Sequence, residues 1–322
     1  MRTLLTFHSI LAEQMDRFVV LKRMQGYDYT DQTRTLGYFD DFLIAEEPQP
    51  QEGRLTLDML DRYVATTAHL APYSRQTRLS SLRQFSHYLH ARNPNSIALP
   101  KDILPRRWRT IRFCRIKPEQ VADLMTATAT VLPAGGIRAR SVGVLIGLLY
   151  STGLRIGEAL SLTLADIDPD ASTLHVAKGK FGKQRLVSLS PSTLAALTHY
   201  LSIRERYAST SKGAPLFIGN YDTVLTYGQA YRAFVRLCRH CGVQGDPPPR
   251  PHDLRHNFAC EVLARWRQAG MDIHAFLPVL TTAMGHVKIS GTQVYLHVDA
   301  VGLQNAAAAF EAYITTHQES TK

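Results

Sequence analysis

Apolar residues recur at helical spacing through the first part of the chain. Leu11, Met15, Phe18, Val19 and Met24 mark one face, and Leu36, Phe39, Phe42 and Leu43 mark a second. Leu57, Leu60 and Val64 mark a third, with Asp58 and Asp61 near its start. Leu79, Leu82, Phe85 and Leu89 form a fourth stripe, and Arg75, Arg78 and Arg83 of the same segment fall off it. Stripes of this kind bury against one another, so a helical domain is expected over residues 1–97, closed by Asn93-Pro94-Asn95. The three arginines off the fourth stripe are free to meet phosphate, or form a solvated face.

The periodicity lapses over residues 98–117. Pro100 and Pro105 favour extended backbone there. Lys101, Arg106, Arg107, Arg109, Arg112, Arg115 and Lys117 face only Asp102, which makes a basic strap suited to a phosphate backbone. The interleaved Trp108, Ile111 and Phe113 argue against pure solvent exposure. A second domain is expected over residues 118–322. Pro118 stands at the first position of a helix, and the apolar run 142–150 reads as a buried helix broken near Gly153. Thr173-Leu174-His175-Val176 alternates like a strand. Gly179 and Gly182 mark a turn, Arg185-Leu186-Val187-Ser188-Leu189 is the return strand, and helices resume from Ser192. The fold class expected is mainly α with a small β-sheet.

Composition narrows the function. The 322 residues carry 37 Lys and Arg against 27 Asp and Glu, a net charge of +10, which favours a polyanionic partner, nucleic acid first. No run of about 18 apolar residues exists, so no membrane-spanning helix is expected. The N-terminus lacks a signal peptide's apolar block, and a cytoplasmic protein is expected. Four cysteines make no disulfide framework. Cys238 and Cys241 followed by His252 and His256 have the look of a zinc finger. The stretch between them lacks the apolar residues that a finger packs, and its four prolines forbid a helix leading into the histidines. No metal site is expected, and the cysteines are expected in a helical core.

Four segments in order carry the chemistry. They are Thr152-Gly153-Leu154-Arg155-Ile156-Gly157-Glu158, His252-Asp253-Leu254-Arg255-His256, Gly285-His286, and Tyr295, nine residues after that histidine. Arginines, imidazoles and a phenol suit attack on a phosphodiester by a tyrosine while guanidinium groups hold the phosphate. His252 and Arg255, three apart, share a helical face. His252 is a candidate acceptor for the tyrosine's proton, because histidine titrates near neutrality. His286 is a candidate hydrogen-bond donor to the phosphate, and His256 is read as packing or support. Glu158 and Asp166 are read as structural, holding the arginine or capping a turn.

These segments resemble the tyrosine recombinase (phage integrase-like) family over most of the chain. Lys180-Phe181-Gly182-Lys183-Gln184-Arg185-Leu186-Val187 and residues 280–295 resemble recombinases of transposons and related mobile elements. The resemblance implies an N-terminal helical (SAM-like) core-binding domain, an α+β catalytic domain, and a C-shaped clamp on duplex DNA. It implies Tyr295 as nucleophile, leaving a 3′-phosphotyrosyl link and a free 5′-hydroxyl, with Arg155 and Arg255 on the non-bridging oxygens. It also implies a lysine that protonates the 5′-oxygen. Lys180 matches counting back from the return strand, Lys178 is equally near counting forward from Arg155, and Lys183 is then a backbone contact with Lys178. A homotetramer on two sites, strand exchange through a Holliday junction and no metal or nucleotide cofactor are implied as well. An accessory DNA-binding protein and association with the nucleoid complete that picture. Residues 306–314 read as a short helix that docks on a neighbouring protomer or folds back on its own domain. Two other functions stay open on this reading: a non-catalytic DNA-binding protein on the same scaffold, and a type IB topoisomerase-like enzyme.

Overall fold

The computed structural model describes residues 7–45, 53–100, 112–133, 136–177, 184–221, 223–286 and 288–297. The chain divides into two compact units, Met1–Arg109 and Thr110–Lys322. Its described part is mostly helical with one three-stranded sheet, as the hydrophobic pattern predicts.

The first unit is built from helices α1 (Ala12–Met24), α2 (Thr30–Ala45), α3 (Leu57–Thr66) and α4 (Pro72–His90). Their apolar stripes meet in one core that contains Leu11, Met15, Phe18, Leu36, Phe39, Leu60, Leu82 and Phe85. Phe18 is its centre, with Tyr29, Phe85 and Tyr88 packed at ring centroids 5.1–5.6 Å away. Two stripe ends depart from expectation. Met24 is 82% exposed and Leu57 is 55% exposed, because each lies at a helix terminus, where the face turns past its neighbours. Leu55 and Tyr63, outside the expected stripe, are buried in this core. Buried Asp40 accepts the backbone N–H groups of His8 and Ser9, which pins the leading segment across α2. Beyond α4, Leu99 is buried in this core, and its N–H donates to Ser86 Oγ at 2.9 Å.

The second unit begins within the stretch read as a connector. Phe113, Cys114 and Ile116 are all buried in it. Asn257 anchors them: its Nδ2 donates to Cys114 O and its Oδ1 accepts from the Ile116 N–H. Helices α5 (Pro118–Val131), α6 (Arg138–Thr152), α7 (Ile156–Leu160), α8 (Pro191–Arg204) and α9 (Tyr227–His240) surround the main core. A sheet of β1 (Ile167–Asp168), β2 (Thr173–Val176) and β3 (Arg185–Ser188) runs antiparallel in that order. Leu174 pairs with Val187 on the buried face, while exposed Leu186 pairs with His175 on the other. The two-residue β1 is too short to announce itself by alternation. Helices α10 (Pro251–Gln268), α11 (Ile273–Met284) and α12 (Ser290–Gln293), with a 3₁₀ turn over Val294–His297, enclose a smaller core of Phe113, Ala259, Leu263, Leu277, Met284 and Tyr295. Among the described residues no helix is long and apolar enough to cross a membrane.

Candidate active site

Two glycine turns and one helix start set the site. Gly153 ends α6 with φ +65°, and Gly285 ends α11 with φ +66°, both left-handed. A Cβ on Gly153 would lie 2.3 Å from the ring of Phe258, and one on Gly285 would lie 2.7 Å from the Arg185 guanidinium, so each turn needs glycine for space as well as angle. Helix α10 starts at Pro251, where proline costs no hydrogen bond. Fully buried Asp253 caps it, accepting the Arg250 N–H at 2.8 Å. This start puts His252, Arg255 and His256 within the first two turns.

The arginines are held by carbonyls at these turns. Arg255 is 2% exposed and donates through Nη1 to Gly153 O and through Nη2 to Met284 O, each at 2.7 Å. Arg155 is the N-cap of α7. It donates through Nη2 to Gly285 O at 3.0 Å and through Nη1 to Glu158 Oε1 at 2.6 Å. Each glycine turn is therefore fastened by an arginine from the other end of the site. Burial, then the charge of Arg155, brings Arg255 down to about 10, so it stays charged at neutral pH. Buried Arg204, outside the site, is a contrast. Its three nitrogens donate to Leu216 O, Ser209 O and Pro215 O, and it ties a loop with no anion in view.

Glu158 lies under the arginines. Burial would raise its carboxyl, but hydrogen bonds from Arg185 and from the Arg155 backbone, with the Arg185 charge, hold it at about 2. Arg185, on β3, reaches it with Nη2 at 2.7 Å and also donates through Nε to Ala283 O at 3.0 Å. Sequence reasoning treats Arg185 only as part of a strand. Asp166 caps the short turn Leu164–Asp166 by accepting the Thr163 N–H at 2.7 Å.

Tyr295 is 2% exposed and its hydroxyl pairs with His256 Nδ1 at 2.8 Å. The pattern of residues points to His252 as the tyrosine's partner. In the structure that place belongs to His256, one turn further into the helix. His252 is exposed at the mouth, with its ring edge-on to His256 at 4.7 Å. Spacing cannot separate the two histidines, because both lie near Arg255 on α10. Phe113 covers the other side of the His256 ring at 5.0 Å. Burial pushes Tyr295 up to about 12, against the lowering pull of Arg255 and Arg155. His286 lies parallel to the Tyr295 ring at 6.4 Å, and its Nδ1 pairs with buried Thr292 Oγ1 at 2.8 Å. Thr292 also bonds Thr281 on α11. Neither threonine stands out in the sequence.

The remaining expected contacts are scattered. Lys178, Lys180, Lys183, Arg106, Arg107, Arg109 and residues 306–314 lie outside the described residues. Arg112 is exposed, 4.0 Å from Asp246. On α4, Arg75 donates to Thr67 Oγ1, Arg78 stacks on Tyr38 at 3.8 Å, and Arg83 is half-buried. Cys238 is buried in the main core, and His256 faces the smaller one through Phe113 and Tyr295. Among the described residues no group of three or more His, Cys, Asp or Glu is arranged to hold a metal ion.

These shifted groups are expected to make the second unit acid-labile. Burial, then the charges of His252 and Arg255, brings His256 to about 3; burial, then Arg255 and Arg155, brings His286 to about 4. Both start from 6.5, so between about 4 and 6.5 the unfolded chain binds protons that the folded chain refuses. Stability is full above 6.5 and falls as the pH drops. Glu158 adds a second loss between about 4.5 and 2. Thermal melts are expected to decline steadily from pH 7 to pH 5, and a flat melting temperature over that range would contradict the buried neutral imidazoles.

Comparison with known proteins bears on this geometry. A model described as the phage integrase family matches residues 114–301. A Sinorhizobium fredii protein named putative integrase/recombinase y4rB is 33% identical over 89% of this chain and 93% of its own length. A tyrosine recombinase XerC of Neisseria meningitidis is 30% identical over 80% of this chain and 81% of its own. Among solved structures, XerH site-specific recombinase bound to palindromic difH substrate, a post-cleavage complex, matches with a TM-score of 0.65 at 19% identity, covering 87% of this chain and 79% of that one. The Tn1549 transposon integrase in complex with transposon right end DNA matches with a TM-score of 0.64 at 16% identity, covering 95% and 99%. The structural likenesses are likenesses of fold.

Proposed function

This chain belongs to the phage integrase family, and from that premise we propose that it is a site-specific tyrosine recombinase, which cuts and rejoins DNA through a tyrosyl-linked intermediate. One observation carries the assignment of roles. The Tyr295 hydroxyl is held by the residue that follows Arg255 on α10, within reach of the charges of both Arg255 and Arg155. A buried phenol beside two guanidinium groups and two neutral imidazoles is an arrangement with a use in phosphodiester attack and little use in DNA binding alone.

Tyr295 attacks the phosphorus, the DNA 3′-phosphate becomes joined to its oxygen, and the 5′-oxygen leaves as a hydroxyl after taking a proton. Arg155 and Arg255 stabilise the charge that builds on the non-bridging oxygens of the five-coordinate transition state. With its Nδ1 engaged by Thr292, His286 would meet the phosphate through Nε2. Two imidazoles can take the phenolic proton: His252 at the mouth and His256 in contact. Lys180, or Lys178, supplies the proton to the 5′-oxygen. The bond energy is kept in the phosphotyrosyl link, so rejoining needs no nucleotide.

Duplex DNA is the partner, gripped by two domains over residues 1–97 and 118–322 with a basic connector between them. Arg75, Arg83, Arg106, Arg107, Arg109 and Arg112, with Lys178 and Lys183, contact the phosphate backbone. Arg78, already stacked on Tyr38, contributes with its outer edge. Four copies exchange C-terminal helices and pass strands through a Holliday junction, serving a mobile element and bound to the nucleoid when at work.

The test uses the protein's own duplex site with a nick just downstream of the cleavage position, so that the short fragment diffuses away. A covalent complex that survives detergent is expected to accumulate, and mass spectrometry of the DNA-linked peptide is expected to find Tyr295. A salt-sensitive mobility shift with no covalent complex would favour a non-catalytic binding protein instead.

A further inference from the structure

Three neighbouring carbonyls at the end of α11 are each taken by a different arginine. Ala283 O accepts from Arg185 Nε, Met284 O from Arg255 Nη2 and Gly285 O from Arg155 Nη2. The last turn of a helix leaves carbonyls without partners, and its dipole end attracts cations. Two of the three arginines have a task at the phosphate. Arg185 has been given none; its side chain is 9% exposed and its fork is committed to Glu158 and Ala283 O. Glu158 in turn takes the Arg155 side chain at 2.6 Å and the Arg155 N–H at 3.0 Å.

Resting on the recombinase reading above, we propose that Arg185 is a positioning residue for strand cleavage, which sets Arg155 by fixing Glu158 against the end of α11. The carboxylate is a shared acceptor between two guanidinium groups. Held by Arg185 at Oε2, it presents Oε1 to Arg155. Arg185 also begins β3, so the same fork ties that strand to Glu158, and through it to Arg155, and to the end of α11. Arg185→Gln leaves Glu158 with one cation instead of two, and Arg155 becomes free to follow the carboxylate off line.

A double-mutant cycle on the nicked duplex tests this, read as the single-turnover rate of adduct formation. Arg185→Gln is expected to slow adduct formation by about 100-fold, the scale of a misplaced positioning group, with an unchanged mobility shift. Combined with Arg155→Ala, it is expected to add much less than its own factor, because no guanidinium remains to be aimed. Arg185→Lys keeps a charge beside Glu158 but cannot reach Ala283 O at the same time, and its rate is expected between wild type and Arg185→Gln. If the glutamine variant loses its cooperative melt, the lysine variant carries the same cycle. A wild-type rate in Arg185→Gln, or losses that multiply fully in the double variant, would overturn the proposal. Absence of adduct in the wild type itself would instead overturn the recombinase reading.

Discussion

Tyr295→Phe is expected to form no detergent-stable adduct on the nicked duplex while shifting that DNA as the wild type does. The phenylalanine keeps the ring, and with it the packing beside Met284 and Leu263 in the smaller core. Only the oxygen is lost, and no other described phenol shares its setting beside Arg255 and His256. The variant also removes the partner of His256 Nδ1. A buried nitrogen without a hydrogen bond costs about 1–3 kcal/mol, so a modest fall in melting temperature is expected together with the loss of chemistry. That combination separates the reading from a misfolded protein, which would lose DNA binding too. An adduct of wild-type yield would assign the attack to another nucleophile. The hydroxyl is held at rest by a neutral imidazole and pushed up to about 12 by burial. Attack therefore requires the phenolic proton to pass to an imidazole, with the charges of Arg255 and Arg155 favouring the phenolate.

Arg255→Lys is the second large effect. It preserves charge and removes the fork. The guanidinium spans Gly153 O and Met284 O at 2.7 Å on separate nitrogens, and an ammonium is a point donor that cannot span both. One carbonyl is then left buried and unpaired, and the planar donor face proposed for the phosphate is gone. Adduct formation is expected to fall by about 10²–10³-fold, the usual cost of one preorganised oxyanion donor. The melt is expected to fall by the equivalent of about 1–3 kcal/mol for the orphaned carbonyl. Single-turnover rates and thermal melts measure the two losses separately. A lysine variant that cleaves at the wild-type rate would mean that position 255 contributes charge alone.

Much of this architecture is legible in residue order. Stripes such as Leu79, Leu82, Phe85 and Leu89 become buried faces, because helical period is a property of neighbours a few residues apart. The turn at Gly153 is legible for a similar reason, since it follows the apolar run 142–150 of α6. Reading fails where burial depends on what lies across the gap. Met24 and Leu57 continue their stripes and yet face solvent. Cys114 and Ile116 lie in the stretch read as a basic connector and yet are core.

The candidate site divides along the same line. The kinds of group needed, and their assembly from four segments, follow from residue identity and spacing along the chain. Their assignments to one another do not. Arg185 meets Glu158 across 27 residues, His256 meets Tyr295 across 39, and Arg255 meets Gly153 across 102. Contacts at such separations are chosen by packing of whole helices. Two histidines within three residues of Arg255 thus received different places, one exposed and one on the tyrosine.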